Sequence, residues 1–162
     1  MKLSVIIPVY NERELFPVLL QKVREVEVDK EIIVVDNCST DGTRDLLREL
    51  ADKATRVIFQ PENFGKGMSV RTGIHHAKGQ FLIVQDSDLE YDPQDYHKLL
   101  AAADPEEAPV VYGTRLSQEA GNQHARNAFY YARVHLTTLF RILYGARISD
   151  VSTCYKLIRT DI

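Results

Sequence analysis

The sequence predicts an α/β fold, in which a doubly wound, mostly parallel sheet carries helices on both faces in a Rossmann-like arrangement. Short apolar runs alternate along the chain with segments whose apolar residues recur at helical spacing. Residues 31–36, EIIVVD, contain a continuous run of four apolar residues without a polar alternation, which is typical of a strand covered on both faces. Strands and helices that alternate at this pace are joined by right-handed parallel crossovers.

The predicted elements follow one another at short intervals. Residues 3–9 form the first strand and residues 31–36 the second, and the helix between them, residues 12–28, carries apolar side chains at positions 15, 16, 19, 23 and 26. Thr40-Asp41-Gly42 has the composition of a turn and helix cap, and it leads into a second helix. Further strands are predicted at 56–60, 80–85 and 109–113, and a further helix at 66–77.

The overall composition is that of an ordinary soluble chain. Its 162 residues are 44% hydrophobic and 27% charged, which predicts one domain, residues 1–162, with a core of its own. No apolar run approaches the roughly 20 residues of a transmembrane helix, and the N-terminus lacks a signal-peptide pattern, so a cytoplasmic location is expected. Cys38 and Cys154 lie far apart in the sequence and are expected to be free thiols.

Charge is distributed unevenly along the chain. The net charge is −3, but residues 86–107 hold eight acids and one Lys, whereas residues 115–147 hold five Arg and one Glu. Either an acidic, metal-binding end faces a basic, phosphate-binding end, or the two segments carry ordinary solvated helix faces.

An acidic cluster follows the fourth predicted strand, in the sequence FLIVQDSDLEYDP. If the chain stays extended, alternate residues share a face, and Asp86 and Asp88 stand about 7 Å apart on one side. Two such carboxylates repel unless a cation joins them, and their oxygens suit Mg²⁺ or Mn²⁺ carrying a diphosphate. Glu90 continues the alternation. The alternative is that these acids only cap the next helix, although Asp92-Pro93 and Asp95 could do so unaided.

Polar residues also collect where the first two strands end. Tyr10 follows the first strand in PVYNE and can stack on a base, and Asp36 ends the second strand, where it can accept hydrogen bonds from a base or a ribose. The alternative is that Tyr10 packs in the core and Asp36 caps a turn. The first strand is not followed by G-x-G-x-x-G, which argues against NAD or FAD.

A glycine-containing loop, residues 63–67 (NFGKG), runs into a predicted helix start. Glycine lets the backbone come close to a ligand, a helix N-terminus supplies free N–H groups, and Lys66 adds a charge suited to phosphate. A simple turn is the alternative. Arg71 could reach the same phosphates or be solvated.

Taken together in chain order, PVYNE, VVDNCSTDGT, NFGKG, QDSDLEYDP and YGTR resemble the inverting family 2 glycosyltransferases of the GT-A fold. The greatest resemblance is to the dolichol-phosphate mannose synthases and the bacterial polyprenyl-phosphate glycosyltransferases. It implies metal-dependent transfer of a sugar, with inversion, from a GDP- or UDP-sugar to a polyprenyl or dolichyl phosphate, with Mg²⁺ or Mn²⁺ as cofactor.

The resemblance also implies roles for individual residues. The expected metal ligands are Asp86, Asp88 and Glu90. The expected donor contacts are Pro8, Tyr10, Glu12, Asp36, Lys66, Asp86, Ser87 and Asp88. The expected catalytic residues are Asp88, Asp150, Arg115 and Arg126.

On the acceptor side, Arg115 and Arg126 are expected to contact the phosphate of a lipid acceptor, since guanidinium groups suit phosphate. Asp150, in ISDVSTCYK, resembles the acid that lies near the acceptor in the family. It would orient a phosphate acceptor or act as a base toward a hydroxyl, unless it serves only as a turn or cap residue.

The sequence departs from the family pattern in two ways. Asn37 stands where the family usually has a second acid. Family members usually continue beyond the position of Ile162, so the chain is expected to be a fragment with an incomplete acceptor side. Transfer to a saccharide hydroxyl in cell-envelope polysaccharide synthesis, and a non-catalytic nucleotide-sugar-binding domain, remain alternative functions.

Residues 126–144 form a predicted helix that is too apolar for an ordinary surface helix. At helical spacing Arg126, Tyr130, Arg133, Thr137 and Arg141 form one rough stripe. The helix could lie at a membrane interface, pack in the core, or pack against further structure or a second copy. The expected partners are therefore the donor, the lipid acceptor, the inner membrane surface and a second copy in a homo-oligomer, with no nucleic acid.

Overall fold

The protein is organised around one six-stranded sheet in the computed structural model, which describes residues 3–52, 54–114 and 128–162. The strands are β1 (Leu3–Val9), β2 (Lys30–Asp36), β3 (Thr55–Phe59), β4 (Phe81–Val84), β5 (Val110–Tyr112) and β6 (Lys156–Arg159). The helices are α1 (Phe16–Glu25), α2 (Thr43–Leu50), α3 (Lys66–His76), α4 (Tyr96–Ala102) and α5 (Ala128–Tyr144), with a 3₁₀ turn at Pro93–Asp95 before α4.

The strand order is β3-β2-β1-β4-β6-β5, and the strands from β3 to β4 are parallel. The predicted α/β architecture with a mostly parallel sheet is therefore confirmed. The prediction missed β6, which pairs antiparallel with both β4 and β5, so β5 does not follow β4 as the next parallel strand. The sequence signal of β6 is weak because KLIR has only two apolar residues.

Helices cover both faces of the sheet, and alternate residues of β1 point to opposite faces. Val5 and Ile7 are buried in the cluster that contains α1, whose buried residues Phe16, Leu19, Leu20 and Val23 recur at the spacing of one helix face. On the opposite face, α3 lies so close to β1 that a Cβ added at Gly73 would be 2.3 Å from Ile6 Cγ2.

The first helix is shorter than the predicted 12–28 segment. It begins at Phe16, with a proline in its first turn, where the missing N–H leaves no helical hydrogen bond unmade. It ends at Glu25, and the next residue, Val26, has an extended backbone. The residues before it form a loop in which Asn11 has a φ of 56°. This loop belongs to the candidate site described next.

Candidate functional site

A cleft of about 340 Å³ opens at the carboxyl ends of β1, β2 and β4. The chain continues from β1 to β2 on one side and reaches β4 on the other, so the cleft lies at the switch point where ligands bind in open α/β sheets. Its lining contains seven of the eight predicted donor contacts, namely Pro8, Tyr10, Glu12, Lys66, Asp86, Ser87 and Asp88.

The loops that form the cleft turn sharply after each strand. The non-glycine residues with positive φ in the described ranges are Asn11, Cys38 and Leu89, and they follow β1, β2 and β4 respectively. Such conformations cost about 1–3 kcal/mol each and persist where the surrounding structure holds them. They allow short loops to bring side chains from three strands into one cleft.

The expectation of an extended chain through the acidic cluster is wrong beyond Val84, where β4 ends. Residues 87 and 88 form a turn, and Leu89 is left-handed with a φ of 61°. Asp86 and Asp88 therefore reach the cleft as parts of a turn, which we call the carboxylate turn (residues 86–88). Glu90 lines a neighbouring cleft instead. Asp92 caps the following 3₁₀ turn by accepting the Gln94 N–H, so the other acids are not needed for that role.

Asn37, at the position where an acid was expected, ties the 63–67 loop to the sheet. Its Nδ2 donates to Asn63 Oδ1 at 2.7 Å, and its Oδ1 accepts the Phe64 N–H at 2.9 Å. Asn63 Oδ1 also accepts the Gly65 N–H at 3.0 Å. The sequence alone did not indicate this role, because only the fold brings Asn37 and the 63–67 loop together. The Asn37 side-chain amide therefore holds the 63–67 loop, which positions Lys66 at the cleft.

Lys66 is the first residue of α3, and its Nζ lies 2.6 Å from Asp86 Oδ1. Partial burial alone would lower the pKa of Lys66, but the hydrogen bond and charge of Asp86 raise it above its ordinary value. Lys66 therefore stays charged near neutral pH and places a cation at the mouth of the cleft, next to the helix N-terminus.

On the β1 side of the cleft, Glu12 lies in a negative environment. Burial, followed by the charges of Asp88 and Asp41, raises the pKa of Glu12 above its ordinary value. Asp86 is already paired with Lys66, and the negative charges of Asp88 and Glu12 would favour a cation bound in the cleft.

The predicted set of three metal ligands is not assembled in the structure. No three His, Cys, Asp or Glu side chains of the described ranges lie close enough together to hold a metal ion. Glu90 lines the neighbouring cleft and not the one that contains Asp88, because the chain is no longer extended at Leu89. Asp86 and Asp88 nevertheless fit Mg²⁺ or Mn²⁺, because such ions commonly take one or two protein carboxylates and fill their other sites with water and phosphate oxygens.

Asp36 and Tyr10, the candidate base and ribose contacts, have different surroundings. Asp36 is wholly buried and is not part of the cleft lining; its carboxylate pairs with Arg44 Nε at 3.1 Å and accepts the Ser39 N–H at 3.2 Å. These contacts are those of the turn role that the sequence left open. Tyr10 is 46% exposed at the cleft, so its ring is accessible for stacking and is not packed in the core.

A second cleft, of about 490 Å³, adjoins the first and shares Lys66 and Asp86 with it. Its other polar lining includes Glu90 and Lys156, and α3, β4 and β6 supply apolar side chains. Cys154 also lines this cleft, and burial together with the Asp86 charge raises the pKa of its thiol to about 12. Both cysteines are free thiols, as predicted.

Asp150 is wholly buried and does not line either cleft, although its hydrogen-bond partner Ser152 lines the second one. Its Oδ1 accepts the Ser152 N–H at 3.1 Å and the Ser152 hydroxyl at 2.9 Å. This is the geometry of a turn, and the proposed role toward the acceptor remains a prediction. Arg115 and Arg126 lie outside the described residues.

Helix α5 presents an apolar face to solvent, whereas Thr137 on its opposite side is buried and accepts the Val151 N–H at 3.2 Å. The side chains of the exposed apolar face, each more than half exposed, are Tyr131, Leu136, Leu139, Ile142 and Leu143. The helix contains Arg133 and Arg141 but no acid. Among the helices of the described ranges, none has the length and hydrophobicity needed to span a membrane.

Comparison with known proteins identifies the relatives of this chain. Residues 4–162 match the family model described as Glycosyl transferase family 2. The chain is 36% identical over 121 residues to the undecaprenyl-phosphate 4-deoxy-4-formamido-L-arabinose transferase of Proteus mirabilis, an alignment that covers 70% of this chain and 36% of that protein. It is 32% identical over 112 residues to the protein of the same name from Pseudomonas fluorescens, covering 62% of this chain and 32% of that protein. The chain thus spans about a third of the length of these curated relatives.

Solved structures with similar folds include S. aureus TarS, residues 1–349, in complex with UDP-GlcNAc, with a TM-score of 0.66 and 27% identity over 99% of this chain and 46% of that chain. Mannosyltransferase PcManGT from Pyrobaculum calidifontis, in complex with GDP-Man and Mn²⁺, has a TM-score of 0.62 and 27% identity over 82% of this chain and 38% of that chain.

Proposed function

The chain belongs to glycosyl transferase family 2, and we propose from this premise that it transfers a sugar from a nucleotide diphosphate sugar to a polyprenyl phosphate, with inversion and with a divalent metal. The predicted GT-A fold is confirmed by the sheet and by the solved neighbours. The observation that carries the proposal is the cleft at the switch point of the sheet, which gathers Tyr10, Lys66 and the carboxylate turn.

The donor is a GDP- or UDP-sugar. Its base is proposed to stack on the exposed Tyr10 ring, and its diphosphate to lie near Lys66 and the N-terminus of α3. Asp36 would contribute to donor binding indirectly, because its buried carboxylate holds the turn after β2 through contacts with Arg44 and Ser39. The solved neighbours support this donor class, since the TarS structure is a complex with UDP-GlcNAc and the PcManGT structure a complex with GDP-Man.

Asp86 and Asp88 are proposed to hold the metal, Mg²⁺ or Mn²⁺, on the donor diphosphate. A divalent ion in this position neutralises charge that develops on a departing diphosphate. Lys66 supplies part of the same neutralisation from the protein, through the Nζ that lies beside Asp86. The Mn²⁺ named with PcManGT supports this assignment.

In the reaction, an oxygen of the acceptor phosphate forms a bond to the anomeric carbon. The bond from that carbon to the diphosphate breaks on the opposite face, and the nucleoside diphosphate leaves with the electron pair. An anionic acceptor oxygen needs positioning and charge neutralisation more than a general base. Asp150, the candidate base toward a hydroxyl, is wholly buried and accepts two hydrogen bonds from Ser152, which favours the phosphate acceptor. Arg115 and Arg126 are proposed to bind the acceptor phosphate.

Replacement of Asp88 by Asn tests the donor site. Titration calorimetry with UDP and with GDP should show tighter binding of one nucleotide when Mn²⁺ is present. The Asp88→Asn variant should lose at least about tenfold of the Mn²⁺-dependent affinity, because a neutral amide is a poor ligand for a hard cation. Asp45→Asn is the matched control, since that side chain is 79% exposed on α2. Unchanged Mn²⁺-dependent binding in Asp88→Asn would refute the metal assignment.

We further propose that the exposed apolar face of α5 lies on the membrane that contains the acceptor lipid. Five large apolar side chains are exposed together, and the helix carries Arg133 and Arg141 without an acid, which complements anionic lipid head groups. Helix α5 is tied to the Asp150 turn through the Thr137 and Val151 contact, so the membrane would lie near the acceptor side. A cytoplasmic location at the inner membrane face, with residues 1–162 as one domain, remains our prediction.

Vesicle sedimentation tests this orientation. The protein should sediment with phosphatidylglycerol vesicles, and the Leu139→Gln/Ile142→Gln double variant should bind at least about tenfold more weakly because it removes two apolar side chains from the interface. The matched control is Leu15→Gln/Val18→Gln, which changes two exposed apolar side chains outside α5. Equal binding by both double variants would contradict the assignment, and a concentration-dependent dimer in sedimentation equilibrium would assign the face to a second copy.

A further inference from the structure

The residue before the carboxylate turn, Gln85, is wholly buried and makes three side-chain hydrogen bonds. Its Nε2 donates to the backbone oxygen of Asp86 at 2.9 Å. Its Oε1 accepts from the hydroxyl of Tyr96 at 2.7 Å and from the hydroxyl of Tyr155 at 2.6 Å. A backbone carbonyl can only accept, so the Asp86 oxygen fixes which end of the amide faces it. Both tyrosine hydroxyls must then be donors to the other end.

The two tyrosines come from distant parts of the chain. Tyr96 is the first residue of α4, and Tyr155 immediately precedes β6. Their rings lie 5.7 Å apart, and they are 0% and 3% exposed. Burial raises the pKa of both hydroxyls well above the ordinary value, which keeps them protonated as the Gln85 contacts require.

Burying a polar group costs free energy unless the group is hydrogen-bonded, so an apolar side chain at position 85 would fill the same space without that cost. The Gln85 amide adds a hydrogen bond of defined direction to the backbone of the turn. It fixes the peptide that joins Asp86 to Ser87, at the start of a turn whose next residues include the left-handed Leu89. One side of that turn faces the open cleft, so its geometry must be held from the buried side.

We propose that Gln85, Tyr96 and Tyr155 form a positioning network that holds the carboxylate turn in the geometry needed to present Asp86 and Asp88 to a metal-bound diphosphate. The metal role of the two carboxylates rests on the proposed function, whereas the holding of the turn rests on the hydrogen bonds alone. The network also joins the turn to the segment after Asp150, because Tyr155 belongs to that segment. Gln85 acts through the turn and is a positioning residue.

Hydrogen exchange on the ligand-free protein tests the holding of the turn. The reporter is the Glu90 N–H, which donates to Asp88 Oδ1 at 3.0 Å. Gln85→Met removes all three bonds and should speed this exchange about tenfold, and Tyr96→Phe and Tyr155→Phe should each speed it about threefold. The Asn37 N–H, bonded to Val9 O at 2.9 Å, should be unaffected because it lies in another loop. An unchanged Glu90 N–H in Gln85→Met, or an equal change at both amides, would overturn the proposal.

Tyr91→Phe is the matched control for hydroxyl removal. The Tyr91 ring lies 4.6 Å from the Tyr155 ring, but its hydroxyl accepts the Cys154 N–H and does not bond Gln85. This variant should leave the Glu90 exchange unchanged. A response equal to that of Tyr155→Phe would mean that the cluster acts by general packing, and the positioning assignment would be wrong.

Mn²⁺ titration in the presence of UDP or GDP tests the second half of the proposal. The Mn²⁺ affinity should fall about tenfold in Gln85→Met and about threefold in Tyr155→Phe, with Tyr91→Phe unchanged. Faster exchange without any loss of Mn²⁺ affinity would overturn the link to the metal. A wild-type protein that binds neither nucleotide with Mn²⁺ would refute the proposed function and the metal role of the network, while the exchange data would still decide whether the network holds the turn.

Discussion

Alanine in place of Gly73 should destabilise the protein, because α3 lies directly on the central strand at this point. A Cβ at position 73 would be 2.3 Å from Ile6 Cγ2, whereas contacting carbons lie about 3.5–4.0 Å apart, so the shortfall is about 1.2 Å or more. Ile6 is wholly buried in β1, and its β-branched methyl group cannot swing away without moving the chain. Overpacking of this kind costs about 1–3 kcal/mol, and the helix propensity of Ala returns up to about 1 kcal/mol. Taking about 2 kcal/mol for the overpacking and about 1 kcal/mol for the return, we expect a net loss of about 1 kcal/mol.

Urea unfolding followed by circular dichroism measures this loss, and Gly67→Ala is its matched control. Gly67 lies on the same helix, and nothing is within 4 Å of a Cβ added there. The same substitution should therefore raise the free energy of unfolding at position 67 by up to about 1 kcal/mol and lower it at position 73. If the two substitutions change the free energy of unfolding in opposite directions, the effect of contact with the sheet at position 73 is distinguished from the effect of helix propensity.

A double-mutant cycle with Ile6→Ala locates the contact. Ile6→Ala should cost about 2–5 kcal/mol alone, and Gly73→Ala should cost little in that background because the methyl group it meets is gone. The expected coupling is about 1–3 kcal/mol. Additive effects, or a Gly73→Ala variant as stable as Gly67→Ala, would refute the close approach of α3 to β1.

Two further predictions follow from pKa shifts. The pKa of Glu12 is raised above its ordinary value of 4.5, so the ionised carboxylate destabilises the metal-free fold at pH 7, whereas at pH 3 the side chain is neutral and has no such effect. Glu12→Gln should therefore raise the thermal midpoint at pH 7 but not at pH 3. An equal gain from Glu14→Gln, at an exposed position, would show that the effect does not come from the surroundings of Glu12. The pKa of the partly buried Cys154 thiol is raised to about 12, so only about one thiol in ten thousand is ionised at pH 8. Iodoacetamide labelling followed by mass spectrometry should therefore modify Cys154 slowly in the folded protein and rapidly in urea. Rapid labelling in the folded state would show that the fold does not suppress ionisation of this thiol.

Much of the fold could be predicted from local patterns. The first strand was predicted with its observed bounds, Leu3–Val9, and the other predicted strands agree with the structure to within a residue at each end. Continuous apolar runs and helical periodicity report burial of whole elements, and they do not depend on which element lies next to which. Strand β6 was missed because a short strand at the antiparallel side of a sheet needs little apolar sequence.

The candidate site was predicted in part. The rule that ligands bind at the carboxyl ends of parallel strands, together with the family resemblance, gave seven residues of the observed cleft lining. It did not give the direction of Glu90, because that depends on the left-handed backbone at Leu89. It also did not predict that Asn37 holds the 63–67 loop, a contact between residues 27 positions apart. Nor did it predict that Gln85 accepts from two tyrosine hydroxyls, which lie 11 and 70 positions away along the chain.

Local sequence was sufficient to predict the succession of most strands and helices, the positions of the acidic cluster and the glycine-containing loop, and the family to which the chain belongs. These properties follow from side-chain type and spacing along the chain, which act locally. The three-dimensional structure was needed to show which acids line the cleft, that Lys66 pairs with Asp86, and that Asp36 and Asp150 are buried in turns. Each of these depends on where a loop turns and on what packs beneath it, and long-range contacts between distant strands fix both.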